Sequence, residues 1–533
     1  MNGRLPGRRG AGSLAAGDAG AVAAGCAPAA AAAAEVLAAG GNAVDAAVAG
    51  SAVQCVVEFP WCGVGGDLFL MVHREGAGTV ALNGSGAAPA RPGPGLTGLD
   101  RVPRFGPLSV AVPGLPLAWE RALERFGSLP PARLLAPAVA LADGGFPVDA
   151  ALVAAFTAVG PQLGESPHLA AFLAGTGTAP GETLRQPDLA RTLATLGERG
   201  AGWFYRGEFA RAAVAHLRER GGLLDADDLA AHDAEWVAPL EIDYRGHRVL
   251  QHPPVSLGAL MLSELRLVEQ FDLAGRAPDD AGLVDLMVRC KIAAFADGLG
   301  SPEAGGPRPI STERSRWWRD RLAPTAPLAT AGLPGGSDTT CLAVTDRSGT
   351  TATVIHSLFN TLGSRELVPG TGVVLNDRLA GLRVGPGTGP ALVPGGRPLH
   401  TLNAFMALRG DRVVMAGPPP RPRAGADQLP GARAPPRPRA RPAGRRRAPA
   451  LAARQPAHPR RRRAAAPGAR DAGRARRRAR RDRPPRPAGR TGRGRHVRQL
   501  DRRRPHPCGH AVRRRRRPPR LRRPGLLRPE ETP

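Results

Sequence analysis

One stretch of sequence decides the fold of this chain, and it reads DTTCLAVTDRSGTTATVIHSLF from Asp338 to Phe359. Apolar and β-branched residues recur at every second position on both sides of the turn-forming segment 346–349. A period of two around a glycine-containing loop predicts an antiparallel β-hairpin. Because the glycine-containing segment 335–338 comes just before the first strand, we expect Thr339 to stand where a loop meets a rigid sheet.

Thr339 is a candidate nucleophile. A threonine hydroxyl reacts poorly unless a base lies beside it, and the most compact base is the α-amine of the same residue. An internal threonine gains a free α-amine when its Oγ1 attacks the preceding carbonyl, here that of Asp338, and the resulting ester is hydrolysed. The reference pKa of such an amine, about 7.7 to 8, suits it to accept and return a proton. On these residues alone, the alternative that Thr339 and Thr340 simply favour a β-strand stays open.

Glycine-punctuated segments before the hairpin predict helices and one buried strand. Helices are expected over 28–39 and 43–57, separated by a Gly-Gly-Asn stop. The glycine cluster 63–66 precedes an apolar run at 68–72, whereas a dinucleotide-binding turn needs its glycines between a strand and a following helix. We therefore interpret this cluster as close backbone packing, and we expect further scaffold helices over 188–199 and from residue 225.

The positive charge of the chain is concentrated in its C-terminal part. The 533 residues carry 74 basic and 45 acidic side chains, a net charge of +29. The segment 418–533 contains 39 of the basic residues and 6 of the acidic ones, so residues 1–417 have a net charge of −4. A strongly basic overall composition therefore does not make the body of this protein a nucleic-acid-binding or membrane-binding domain.

The segment 418–533 is predicted to be a disordered, low-complexity basic tail. It contains no Phe, Trp, Tyr or Ile, so the burial of apolar surface cannot offset the loss of chain entropy. One explanation is a GC-rich gene read in a different frame from about codon 417. The other is an evolved polycationic arm, which would bind nucleic acid through phosphates without base preference.

The residues around Thr339 resemble the processing site of the gamma-glutamyltransferase (gamma-glutamyl transpeptidase) family. DTTCLAVTD at 338–346 is followed by Gly349, HSL at 356–358 and GS at 363–364. Further matching motifs occur in order along residues 18–417: GGNAVDAA at 40–47, GVGGDLF at 63–69, VPG at 112–114, the segment 134–147, FYRG at 204–207, GGL at 221–223, YRG at 244–246, PP at 253–254, PGTG at 369–372 and RPL at 397–399. A single one of these motifs is weak, but the ordered set is specific.

The resemblance implies an α/β (α+β) protein, an αββα sandwich of the N-terminal-nucleophile hydrolase type, made as one chain and cut into two associated fragments. It implies cleavage between Asp338 and Thr339, with 1–338 as the large-subunit-like region and 339–417 as a truncated small-subunit-like region. Thr339 inherits the role of the nucleophile. Ser357 falls at the position of the family's second Thr, whose hydroxyl orients the nucleophile's amine.

Departures from the family pattern fall in the substrate-binding positions. The family's carboxylate-binding Ser-Ser pair becomes His400-Thr401, which we predict as substrate-binding residues. The family binds the γ-glutamyl carboxylate with an Arg just before an Ala-Pro step, but the stretch 84–89 contains none. The family's amine-binding Asp would fall near Gly381, and Cys341 stands where the family usually has His.

A further departure follows Gly417. There the family has a Gly-Gly turn whose N–H groups stabilise the oxyanion, whereas this chain has Pro418-Pro419-Pro420, which donates no N–H. The tail also has no counterpart of the remaining small-subunit strands. We therefore expect the chain as written to fold poorly and to be inactive.

The predicted function by family is a gamma-glutamyltransferase or glutathione-hydrolase-like amidohydrolase that acts on small γ-glutamyl amides through an acyl-Thr339 ester. The alternatives are an uncut, inactive pseudoenzyme and nucleic-acid binding through the tail. Six cysteines without a CxxC pair or a His at zinc spacing indicate no metal site, and no cofactor is called for. No run of about 20 apolar residues predicts a membrane span, and we expect a cytoplasmic protein.

Overall fold

Strands and helices follow one another in an order that builds two sheets between helical layers. The computed structural model describes residues 13–91, 93–160, 166–175, 179–277, 279–300, 307–322, 338–386 and 390–417. Within these ranges the strands are Ser13–Gly17 (β1), Gly20–Ala24 (β2), Asp67–Arg74 (β3), Gly78–Gly84 (β4), Phe146–Pro147 (β5), Thr183–Leu184 (β6), Glu235–Val237 (β7), Leu240–Tyr244 (β8), His247–Gln251 (β9), Asp338–Asp346 (β10), Thr351–Phe359 (β11), Leu367–Val368 (β12), Val373–Val374 (β13), Phe405–Arg409 (β14) and Arg412–Gly417 (β15). The α-helices are Ala27–Ala38 (α1), Ala43–Val57 (α2), Leu115–Phe126 (α3), Pro131–Gly144 (α4), Ala150–Val159 (α5), Pro167–Ala174 (α6), Pro187–Arg199 (α7), Ala201–Arg206 (α8), Glu208–Glu219 (α9), Ala226–Ala230 (α10), Gly258–Val268 (α11), Ala281–Gly300 (α12) and Thr312–Arg319 (α13).

The predicted hairpin forms the centre of the larger sheet. That sheet has the strand order β1-β2-β10-β11-β3-β4-β7, and every neighbouring pair in it is antiparallel. The second sheet has the order β15-β14-β9-β8 and is also antiparallel. Strands β10 and β11 are therefore covered on both edges by strands from the N-terminal part of the chain.

Helices α1 and α2 cover one face of the larger sheet. Helix α2 begins with a capping box, in which the Asn42 side chain accepts from the N–H of Asp45 while the Asp45 carboxylate accepts from the N–H of Asn42. All fifteen of its residues are buried. The small side chains of both helices allow close packing, so that a Cβ added to Gly50 would meet Leu342 of β10 at 3.3 Å.

The two sheets pack face to face through apolar side chains. Phe69 and Ile355 of the larger sheet form one cluster with Leu402 and Ala404. A second cluster joins Met71 to residues of the smaller sheet. On the outer face of the smaller sheet, helices α11 and α12 bury a separate core. The layers are thus helix, sheet, sheet, helix, as the family resemblance implied.

The structure agrees with the local predictions at several points. Helices α1 and α2 match the ranges expected from the Gly-Gly-Asn stop. The helix expected from residue 225 is the short α10, capped by Asp225. A Cβ on Gly65 would lie 2.2 Å from the carbonyl oxygen of Val374, so this glycine serves close backbone packing.

The tail predicted over 418–533 lies outside the described residues, and the division into 1–338 and 339–417 stays a prediction. None of the helices in the described ranges is both long and apolar enough to cross a lipid bilayer.

Candidate active site

Thr339 lies opposite a β-bulge in β11, at the start of the central hairpin. Asp338 pairs with Phe359, and Thr340 pairs with His356, so two residues of β11 face Thr339 alone. Those two residues are Ser357 and Leu358. A bulge bends a strand and re-aims its side chains, and bulges are frequent next to active sites. Thr339 itself is half-buried.

Strand alternation places the candidate residues on the face that is turned toward the second sheet. Ser357 lies on the same face of β11 as Ile355, two residues away, and Asp67 lies on the same face of β3 as Phe69. Ile355 and Phe69 pack between the sheets. Asp67 and Ser357 are a cross-strand pair. Thr339 is next to Ser357 on its other side, so these three residues form a row at one end of the central strands.

Ser357, predicted to orient the amine of the nucleophile, is almost fully buried. Its Oγ accepts a hydrogen bond from the N–H of Phe359 at 2.8 Å. Asp338, on the other side of the predicted cleavage point, is the first residue of β10. The bulge therefore begins immediately after the peptide bond that the sequence predicted to be cut.

His400 and Thr401, the predicted substrate-binding pair, are placed differently from each other. His400 is buried, with Nε2 3.5 Å from the Asp67 Oδ2 atom and its ring 5.1 Å from that of Phe69. Burial lowers the pKa of His400 well below its usual value, so the imidazole is neutral. Thr401 is half-buried, and its carbonyl accepts from Asn403 Nδ2. His400 therefore lies beside Asp67, at the end of this row. The hydrogen bond described for Thr401 goes to Asn403 instead.

Two site residues were missed by sequence reasoning, namely Asp67 and Arg378. Arg378 Nε donates to Asp67 Oδ2 at 3.1 Å, and the N–H of Gly86 donates to Asp67 Oδ1 at 2.9 Å. Burial raises the pKa of Asp67 and lowers that of Arg378, while the attraction between the two charges opposes both shifts. The available signal was an Asp in a glycine motif and an Arg after Asn376-Asp377, but their pairing could not be read from either motif.

The backbone at the end of β11 and in the segment that follows it is strained beside this ion pair. Phe359 has φ of 86°, and Leu362 and Arg365 also have positive φ. A bulky residue in the left-handed region is unusual, and such strain is found at functional sites more often than elsewhere. The Phe359 ring lies 4.5 Å from Arg378 Cζ, as a cation–π pair.

A buried polar network supports the hairpin from the helix side. Thr340 Oγ1 donates to Glu58 Oε2 at 2.6 Å and accepts from Gln54 Nε2 at 2.7 Å. His356 Nε2 donates to Gln54 Oε1 at 3.0 Å. Burial raises the pKa of Glu58, and the hydrogen bonds from Thr340 and Gln54 oppose that shift. The network ties β10 and β11 to α2 one residue away from Thr339.

One group of metal-ligand side chains lies beside this network. Ligand atoms of Cys55, Cys62 and His356 are all within 4.8 Å of one another, and all three residues are buried. Burial acts to raise the pKa of Cys55, but hydrogen bonds with Cys62 and His356 lower it to about 6. Burial raises the pKa of Cys62 well above its usual value. These three side chains are close enough to hold a metal ion together, which their spacing in the sequence did not indicate.

Comparison with known proteins identifies the family. The gamma-glutamyltranspeptidase family model matches residues 29–417. The chain belongs to this family. It is 32% identical over 391 residues to the glutathione hydrolase-like YwrD proenzyme of Bacillus subtilis (strain 168), covering 71% of this chain and 74% of the relative. It is 31% identical over 401 residues to the oxamate amidohydrolase proenzyme of Klebsiella pneumoniae, and the match covers 71% of this chain and 74% of that relative.

Among solved structures, the cephalosporin acylase from Bacillus halodurans superposes with a TM-score of 0.69 at 31% identity, covering 78% of each chain. The expected αββα fold and the family prediction are therefore confirmed, and this gamma-glutamyltranspeptidase-family protein is an enzyme by descent. The family match ends at residue 417, where the sequence resemblance was predicted to end.

Proposed function

We propose that this gamma-glutamyltranspeptidase-family chain is a threonine-nucleophile amidohydrolase or acyltransferase that cleaves itself before Thr339. The observation that carries the proposal is the bulge in β11, where the buried residues Ser357 and Leu358 both lie opposite Thr339. The relatives are named proenzymes of a glutathione hydrolase-like protein and an oxamate amidohydrolase. We take the substrate to be a small γ-glutamyl or related amide.

The chemistry has two stages that use the same hydroxyl. In the first, Thr339 Oγ1 attacks the carbonyl carbon of Asp338, the C–N bond breaks to give an ester, and water hydrolyses that ester. In the second, the freed amine accepts the Oγ1 proton as the hydroxyl attacks the substrate amide, and the proton passes to the leaving amine. Water or a second amine then releases the acyl group from Thr339. The two chain fragments stay associated because their strands are neighbours in one sheet.

Intact-mass measurement tests the proposal. After purification and incubation, the 55.4 kDa chain is expected to yield two fragments that meet at the Asp338–Thr339 bond. Thr339→Ala is expected to stay uncut, whereas Thr345→Ala, the same change further along β10, is expected to be cut like the wild type. An uncut wild-type chain, or a Thr339→Ala chain cut at the same bond, would count against the proposal.

The second candidate function is an uncut pseudoenzyme of the same family. It is favoured by the three prolines at 418–420, which lack the N–H groups that the family uses to stabilise an oxyanion. The mass measurement separates the two candidates, and a γ-glutamyl-p-nitroanilide assay on the cut protein shows whether acyl transfer follows. A cut chain without p-nitroaniline release would support loss of turnover after processing.

A further inference from the structure

Arg378 is a buried cation that uses only part of its hydrogen-bonding capacity. Its side chain is 1% exposed. Its Nε donates to Asp67, but Nη1 and Nη2 have no hydrogen-bond partner among the residues that the structure describes. A buried donor without a partner costs free energy, and a guanidinium carries its N–H groups in one rigid plane. The end of the guanidinium that bears Nη1 and Nη2 is therefore suited to a planar, two-oxygen acceptor.

The guanidinium is held in place on two sides. Asp67 binds the Nε edge and is itself fixed by the N–H of Gly86. The ring of Phe359 lies 4.5 Å from Cζ, which restricts the guanidinium plane. Because both contacts come from residues that are anchored in the larger sheet, Arg378 is preorganised before any ligand arrives.

Arg378 and Thr339 lie at the same end of the central strands. Phe359, which contacts Arg378, is paired in the sheet with Asp338, the residue just before Thr339. Asp67, which binds Arg378, is paired with Ser357 on the side away from Thr339. Two strand spacings, about 10 Å, therefore separate the backbones of Thr339 and Asp67. A small substrate bound at Thr339 would therefore extend toward Arg378 along this row of residues.

The charges around Arg378 leave the site able to accept an anion. Asp67 and Asp377 are the acids that act on Arg378. Both carboxylate oxygens of Asp377 accept hydrogen bonds from Asn360, and burial raises the pKa of Asp377 to about 6. Arg397 also acts on Asp67 with its positive charge while it pairs with the exposed Glu235 at 3.2 Å, and burial keeps His400 neutral.

We propose that Arg378 binds a carboxylate of the substrate's acyl group through Nη1 and Nη2. In this chain it supplies the carboxylate recognition for which the segment 84–89 has no arginine. A guanidinium pairs with a carboxylate through two parallel N–H···O bonds, which gives both strength and orientation. The inference rests on the proposed function of Thr339, because the location of the reacting amide sets where the carboxylate must lie.

Binding of a matched pair of probes tests this inference without turnover. L-Glutamate and L-isoglutamine differ only in an α-carboxylate against an α-carboxamide, and neither carries a γ-amide that the proposed enzyme would cleave. Titration calorimetry on the full chain is expected to show that glutamate binds about tenfold or more tightly. The preference is expected to disappear in Arg378→Gln and to fall strongly in Arg378→Lys, which keeps the charge but loses the planar pair of donors. Arg101→Gln, an exposed arginine that contacts Gly381, is the control and is expected to keep the preference.

The outcomes separate this inference from the proposed function. If wild type shows no preference, or if both Arg378 variants keep it, the inference is wrong. Should Arg378→Gln fail to fold because it leaves Asp67 buried without its partner, the Lys variant alone decides. An uncut chain with a preference that depends on Arg378 refutes self-cleavage and supports carboxylate binding. A cut chain whose preference is unchanged in the variants refutes carboxylate binding alone.

Discussion

Replacing Thr340 by Val tests the network that ties the hairpin to α2. Valine keeps the shape of threonine but removes the hydroxyl that donates to Glu58 Oε2 at 2.6 Å and accepts from Gln54 Nε2 at 2.7 Å. Gln54 Nε2 keeps the carbonyl oxygen of Cys341 as an acceptor at 3.0 Å. The loss therefore falls mainly on Glu58 Oε2, which loses its O–H donor but keeps the N–H donor Gln54 Nε2 at 2.9 Å. Because one donor to this part-buried carboxylate remains, the change removes one hydrogen bond without leaving an acceptor unpaired, and we expect a loss of about 1 kcal/mol in the free energy of unfolding.

The matched control lies in the same hairpin. Thr353 is fully buried, and its hydroxyl makes a 3.5 Å hydrogen bond to the Leu342 carbonyl, too long to contribute much. Thr353→Val is expected to cost less than about 0.5 kcal/mol. Urea denaturation of both variants at pH 7, followed by far-ultraviolet circular dichroism, measures the difference. Because Thr340 follows Thr339 directly in β10 and is anchored by this network, Thr340→Val is also expected to slow scission before Thr339. Equal losses in the two variants would refute the reasoning.

Two further changes probe burial and backbone packing elsewhere in the fold. Burial, opposed by Lys291, raises the pKa of Glu264 from 4.5 to about 7, so the wild type loses stability relative to Glu264→Gln as the pH rises through that interval. At about 1.36 kcal/mol per pH unit the difference grows by about 3 kcal/mol between pH 4.5 and 8, and equal unfolding free energies of the pair at both pH values would contradict this. A Cβ on Gly86 would lie 1.5 Å from the Val112 carbonyl oxygen, so Gly86→Ala is expected to lose more than about 4 kcal/mol or to be insoluble. Gly144→Ala, where a Cβ meets nothing within 4 Å, is expected to be neutral or slightly stabilising, and similar melting temperatures for the two would count against the argument.

The hairpin and the first two helices were predictable because their signals are local. Alternation between residues 340 and 355 predicts a strand whatever the rest of the chain does, and the stop at 40–42 ends a helix by itself. The bulge opposite Thr339 was not predictable. It arises because β11 has one residue more than β10 between two paired positions, and register is a property of both strands together.

The candidate site was only partly predictable for the same reason. Thr339 and Ser357 could be assigned from one short motif. The contact between Asp67 and Arg378 joins residues 311 positions apart, and neither residue has a partner within its own motif. Cys55, Cys62 and His356 come together in the same way, through a helix, a loop and β11, so their sequence spacing gave no sign of the cluster. Pairings of this kind are fixed by the packing of distant elements, which a single sequence does not display.

The position of β10 and β11 in the middle of the larger sheet has a consequence for synthesis on the ribosome. Strands β2 and β3 emerge early, but the strands that cover their open edges emerge only after residue 338. The Ala43 N–H likewise finds its acceptor in Asp346, 303 residues later. Throughout that interval a growing chain presents uncovered edges that other chains can join. We therefore expect a nascent protein of this topology to be prone to aggregation until its last central strands are made.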